Sequence, residues 1–159
     1  MATYESDRKM GCLAEKKFKK IMKKKFKIDL EETDRYCFYD FISHEKNVII
    51  ELKKRKINKD MYPTTIIGYD KIAKFMRLNK KNNNKYKFLL VFYFTDGIYY
   101  FVHDNNYNYQ IKSYKRKPIP GANDKEKEHV FIPIKHLKPL KNIKNEFECN
   151  KKLLVRYNL

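Results

Sequence analysis

The sequence predicts an α/β domain. Three observations predict it: a helical period near the N-terminus, two β-hairpin patterns, and a second helical period between those hairpins. The chain has 159 residues, the size of one domain, and 42% of them are hydrophobic and 15% aromatic, enough to fill a core and to argue against disorder.

The elements follow in order. Residues 6–25 read as a helix with Ser6 or Asp7 as its cap, weakened by Gly11. Leu13, Ala14, Phe18, Ile21 and Met22 recur at helical spacing and form its apolar face. The lysines between them, Lys16 to Lys25, read as a solvated face. Residues 36–43 and 48–53 are β-prone and flank a polar link, His44–Asn47, which predicts an antiparallel hairpin. After Pro63, a helix is expected from about Gly68 to Leu78, burying Ile72, Ala73, Phe75 and Met76. Phe88–Phe94 and Ile98–Val102 flank Thr95-Asp96-Gly97, and Asp-Gly predicts a second hairpin with a type I′ turn. Its aromatic stripe, Tyr93, Phe94, Tyr99, Tyr100 and Phe101, reads as sheet core before it reads as a base-stacking platform. Beyond residue 103 the pattern decays. Pro118, Pro120 and Gly121 break any element, Val130–Ile134 reads as a last strand at a sheet edge because of Pro133, and His136–Leu140 as a short helical turn. One domain spanning 1–159 is expected, with a core at about 8–102 and a C-terminal extension over 103–159.

Composition narrows the function classes. Lys plus Arg number 37 against 19 Asp plus Glu, a net charge of +18 that attracts polyanions, nucleic acid first. A Lys-rich composition also arises from biased codon usage, so a solubility role stays open. No apolar run is long enough to span a membrane, and Met1–Met10 has no apolar signal region. Cys12, Cys37 and Cys149 are odd in number and widely spaced, which argues against disulfides and zinc and for a reducing intracellular location. No phosphate-binding glycine loop or nucleophile elbow occurs, and His44, His103, His129 and His136 lack metal-ligand spacing.

The chemistry concentrates in the first hairpin. Whether its loop has two residues or four, the register is the same: Asp40 faces Glu51 and Phe38 faces Lys53. Glu51 and Lys53 are two apart and share a sheet face, which Asp40 joins. Opposed carboxylates repel, and Glu51 interrupts the apolar run Val48-Ile49-Ile50-Leu52. A hard divalent cation, Mg²⁺ or Mn²⁺, between Asp40 and Glu51 would resolve the conflict, with the main-chain carbonyl of Leu52 as a further ligand. Such a cation activates water for phosphodiester cleavage, and Lys53 would orient that water or neutralise developing charge. The plain alternative is that Glu51 pairs with Lys53 or Lys54 on an exposed strand. The run Lys53-Lys54-Arg55-Lys56 reads as phosphate contact beside this centre.

Asp40, ten residues, then Glu51-Leu52-Lys53 resembles the signature of the PD-(D/E)XK nuclease superfamily, with a helix before it. Tyr39 stands where the family name has Pro, and Asp34 competes with Asp40 but would lie before the strand. The resemblance covers roughly residues 8–102 and implies a restriction-endonuclease-like fold, a mixed central sheet of four or five strands flanked by helices in the order αβββαβ. It implies that Glu15, in Gly11-Cys12-Leu13-Ala14-Glu15, adds to the metal shell, against the reading of an ordinary surface Glu. Tyr62-Pro63-Thr64-Thr65 and Tyr69-Asp70-Lys71 look like small nucleases of this type from viruses, phages and mobile elements, which places Lys71 near phosphate with Tyr69 beside it; the plainer and preferred reading is that Tyr69 is core and Lys71 solvated. The activity implied is metal-dependent hydrolysis of DNA in the host cytoplasm or nucleus, or packaged in a virion. A homodimer is left open, as are two rivals: a non-catalytic nucleic-acid-binding protein of the same fold, and a junction-resolving nuclease.

Overall fold

Burial of an apolar stripe sets the position of the first helix. In the computed structural model, which describes residues 3–115, 117, 120 and 125–148, helix α1 spans Tyr4–Phe26. Its cap is Thr3, not Ser6 or Asp7. Thr3 and Ser6 form a reciprocal capping box, so two backbone donors are satisfied one turn earlier than expected. Gly11 lies within the helix and does not end it. Ala14, Phe18 and Met22 are buried, whereas Leu13 is 58% exposed. Steps of four keep residues 14, 18 and 22 on one stripe, and Leu13 falls about 100° away from Ala14 around the helix. Lys27 ends α1 in the left-handed region at φ 57°.

A central sheet of six strands receives this stripe. Its order is β1 (Glu31–Glu32), β2 (Phe41–Ser43), β3 (Val48–Lys54), β5 (Lys87–Phe94), β6 (Gly97–Val102) and β9 (Lys138–Pro139). β3 and β5 run parallel and the other pairs antiparallel, so the sheet is mixed. The expected four or five strands become six through the two-residue edges β1 and β9. β3 and β5 are joined across β4 (Thr64–Gly68) and α2 (Tyr69–Lys81), which gives the expected αβββαβ order with β4 inserted. This is a mixed α/β architecture compatible with the restriction-endonuclease-like fold.

Each face of the sheet has its own cover. Phe41, Val48, Ile50, Leu52, Leu89 and Val91 pack against α1. Ile49, Phe88, Leu90 and Phe92 pack against α2 and a second sheet. That second sheet, in the order β4, β8 (Lys127–Pro133), β7 (Gln110–Tyr114), is antiparallel and was not expected from the sequence. Val130 and Ile132 of β8 are fully buried in the shared core. β8 is therefore a middle strand and not an edge. Pro133 is tolerated because β7 pairing stops at Phe131, leaving no partner to miss its N–H on that side. After β8 the chain forms a 3₁₀ turn at Ile134–His136 and another at Leu140–Glu146, where the sequence predicts one short helical turn over His136–Leu140. Pro118, Gly121 and Cys149 lie outside the described residues.

In α2, Ile72 and Phe75 are buried as expected, but Met76 is exposed, and Asn79 takes the inward position. Its amide accepts from Tyr86 N at 2.8 Å and donates to Tyr86 O at 3.1 Å, clamping the helix to the start of β5. In the second hairpin Phe94 pairs with Gly97 around a Thr95-Asp96 loop, and neither loop residue has positive φ, so the turn is not type I′. The aromatic stripe is core: Phe94, Tyr100 and Phe101 are buried.

The stripe assignment can be checked by unfolding. Phe18→Ala should lower stability by about 3–5 kcal/mol through the cavity it leaves. Leu13→Ala should stay within about 0.5 kcal/mol, as for an exposed side chain. Chemical denaturation of both variants measures the contrast, and equal losses would reverse the assignment of the face.

Candidate active site

The first hairpin has the expected register with a shorter first strand. Ser43 pairs with Val48, Ile42 with Ile49 and Phe41 with Ile50, around the four-residue loop His44–Asn47. Asn47 adopts the left-handed region at φ 55°, which an Asn tolerates well. Pairing then stops. Residues 36–40 are not strand, and Phe38 does not face Lys53. Asp40 N–H donates to Ile50 O at 2.9 Å. Leu52 N–H donates to the Asp40 carboxylate at 2.7 Å. A side-chain oxygen thus replaces a main-chain carbonyl in the ladder and pins the Asp40 carboxylate beside the exit of β3. Backbone N–H and C=O of one strand residue point to the same neighbour. The carbonyl of Leu52 therefore faces Asp40 and away from β5.

Glu51 is 2% exposed. Its Oε1 pairs with Lys53 Nζ at 2.7 Å and with Lys71 Nζ at 3.3 Å. Its Oε2 is buried with no hydrogen-bond partner. Lys71, from α2, also donates to Phe38 O at 2.9 Å. The sequence gives no sign of this second ion pair, because a lysine in the first turn of a helix ordinarily reads as solvated. Tyr69 is half-buried against the core.

Burial and like charge perturb the other carboxyls. Asp40 is raised to about 7, by desolvation first and then by Glu51, against the stabilising Leu52 N–H. Glu15 is also raised, by burial and then by Glu51 and Glu32, while Lys53 and a hydrogen bond with Asp40 pull it down. α1 therefore does bring Glu15 to the Asp40 side of the site. Asp40, Glu15, Leu52 and Lys53 line a cleft of about 610 Å³ whose walls also carry Arg8, Lys16, Arg35 and Lys54. Asp34 lies on this wall too, in the loop before β2.

The basic run after Lys53 divides. Lys54 reaches the cleft with its ammonium 4.5 Å from the Tyr93 ring centroid, and burial and Lys17 lower its pKa. Arg55 turns inward. Its guanidinium donates to Ile66 O, lies 5.7 Å from the Phe92 ring centroid, and is lowered to about 10 by burial. Lys56 pairs with Asp7 at 2.6 Å, tying the end of β3 to α1.

Among the described residues, no three His, Cys, Asp or Glu side chains form a complete metal-holding group by themselves. Two carboxylates and one carbonyl are nevertheless the partial oxygen set that suits a hard cation, which takes its remaining ligands from water and phosphate. The unpartnered Glu51 oxygen beside a destabilised Asp40 carboxylate fits such a cation.

The mixed sheet, the helix before it and this strand-borne acid-x-Lys define a restriction-endonuclease-like architecture. The chain belongs to the family described as "Phage putative PDDEXK endonuclease", which it matches over residues 2–140. The family is one of nucleases, so its substrate is nucleic acid. No curated protein matches the chain. Among the described residues, no helix is long and apolar enough to cross a membrane.

The raised Asp40 has a stability consequence. Its folded pKa of about 7 exceeds the ordinary 3.8, so the folded state binds more protons between those values. The stability linked to this group is present at low pH and lost as pH rises through 7. In metal-free buffer Asp40→Asn should melt higher than the parent at pH 8, and the difference should shrink toward pH 4. Thermal melts across that range test it, and an unchanged or lower melting point at pH 8 would reject it.

Proposed function

We propose that this chain is a Mg²⁺- or Mn²⁺-dependent endonuclease that hydrolyses DNA phosphodiester bonds with an activated water. The observation that carries this is the buried, unpartnered Oε2 of Glu51 beside Asp40. A buried carboxylate oxygen without a partner is unfavourable, and the functional state supplies one. Asp40, Glu51 and the Leu52 carbonyl would hold the cation, with Glu15 reaching it through water. Bound there, the cation lowers the pKa of water and stabilises the leaving oxygen.

The chain's own residues do the rest. Asp40 would hold the cation in its ionised form, with its carboxylate aimed by Leu52 N–H. Glu51 no longer needs both ammonium partners. Lys53, partly exposed, leaves Glu51 to orient the attacking water and to neutralise charge at the phosphorus. Lys71 keeps Glu51 and the Phe38 carbonyl in place. Lys54, with Arg8, Lys16 and Arg35 on the cleft wall, receives backbone phosphates. Arg55 and Lys56 act as struts, given their internal partners. A net charge of +18 then adds sequence-independent affinity that falls steeply with salt.

Supercoiled plasmid should be nicked or linearised with Mg²⁺ or Mn²⁺ and left intact with EDTA. Asp40→Ala and Glu51→Ala should abolish cleavage, and Lys53→Ala should slow it about 10²–10³-fold, the loss typical of one charge-stabilising group. All three should still retard DNA in a gel at low salt. Undiminished cleavage by Glu51→Ala would show the site to be misassigned. Binding without cleavage of plasmid, junction or RNA by the parent protein would favour a non-catalytic binder.

Mg²⁺ should also raise the melting temperature of the parent protein and leave that of Asp40→Asn nearly unchanged, because a ligand that binds only the folded state stabilises it. Equal shifts in both would remove Asp40 from the cation site.

A further inference from the structure

The loop that leads into Asp40 is a built finger. Thr33 N–H donates to Asp40 O at 3.0 Å and Thr33 Oγ1 donates to Tyr39 O, closing its base. Cys37 N–H donates to Asp34 O at 2.9 Å, making a tight turn with Arg35 and Tyr36 at the tip. Its root is anchored, since Phe38 and Tyr39 pack on the core and Lys71 holds the Phe38 carbonyl. The tip has no such packing. Tyr36 is 89% exposed, the most exposed large hydrophobic side chain among the described residues. Arg35 and Cys37 line the active-site cleft, so Tyr36 projects from its rim. The Arg35 guanidinium lies 5.8 Å from the Tyr36 ring centroid.

We propose that Tyr36 is a base-stacking subsite for an unpaired nucleobase next to the cleaved phosphate, with Arg35 receiving that nucleotide's phosphate. This rests on the nuclease reading of the cleft. An aromatic ring held in water on a rigid support loses apolar contact in the free protein and regains it against any base face. A base inside a continuous duplex has both faces covered by its neighbours. The finger therefore selects single-stranded, gapped, flapped or mismatched sites over uninterrupted duplex. The finger ends in Asp40, and its root is fixed through Lys71 to Glu51, so a base stacked at the tip sets the position of the next phosphate relative to both carboxylates.

The sequence contains no tryptophan, so Tyr36→Trp installs a single indole reporter at the tip. The full chain carrying it is titrated in EDTA with a short single-stranded DNA, with relaxed covalently closed duplex, and with heparin, a polyanion without bases. Single-stranded DNA should quench the indole emission, closed duplex should quench it weakly, and heparin should bind without quenching. Tyr36→Ala should weaken single-strand affinity about 5- to 150-fold and leave heparin affinity unchanged, while Tyr36→Phe keeps the parent affinity. Equal responses to DNA and heparin, or an unweakened Tyr36→Ala, would overturn the subsite. Quenching by closed duplex as strong as by single strand would overturn the preference for unpaired bases. The two readings separate cleanly: selective quenching without metal-dependent cleavage by the parent protein sinks the nuclease and keeps the stacking subsite, and cleavage without selective quenching does the reverse.

Discussion

A carboxylate sealed inside the central sheet holds this site together. β3 is covered on both faces, with Ile50 and Leu52 toward α1 and Ile49 toward α2, so Glu51 enters a setting where charge is costly. Two ammonium groups offset that cost on one oxygen, and the other oxygen is left bare. Lys71 reaches Glu51 only because α2 packs over β3, and the same ammonium fixes the Phe38 carbonyl. One acidic side chain thus connects strand, helix and the root of the loop that ends in Asp40. The Leu52 N–H then fixes the Asp40 carboxylate itself.

The surroundings separate two kinds of charge. Glu15, Glu32, Asp34 and Asp40 gather on the cleft wall within a chain of strongly positive net charge. Arg8, Lys16, Arg35, Lys53 and Lys54 line the same cleft. A cleft lined by both kinds of charge offers carboxylates to a cation and ammonium and guanidinium groups to a phosphodiester, and the basic groups attract a polyanion that the acids alone would repel.

Local periodicity made part of this legible. The α1 stripe, the α2 stripe and both hairpins repeat within a few residues, so pattern alone locates them, and the loop of the first hairpin sets the register of Phe41–Ser43 on Val48–Ile50. What pattern could not supply was long-range. β4 is five residues after a proline, and its partner β8 begins about sixty residues later, so neither strand carries a local sign of the other. Nor does spacing reveal that β2 begins only at Phe41 and that the ladder position before it is taken by a side chain. Lysines and arginines look alike in a basic run. Only packing tells that Arg55 points inward to Ile66, that Lys56 holds Asp7, and that Lys71 faces Glu51.

The pairing of β4 with β8 bears on the order in which the chain is made. The ladders of β2, β3, β5 and β6 close by Val102, although Ile143 and Phe147 complete the core under α1 later in the chain. The ladder of β4 does not close by then. Until Lys127–Pro133 has emerged, β4 lacks its ladder partner, and Ile67, Phe75 and Phe92 lack the Val130 and Ile132 they share a core with. A nascent chain halted before that strand exposes an unpaired edge and apolar surface together, the combination that favours chain-to-chain association. The late segment is thus an integral part of the early one's core, and a fragment cut at residue 102 would lack both the ladder partner of β4 and the apolar cover over Ile67, Phe75 and Phe92.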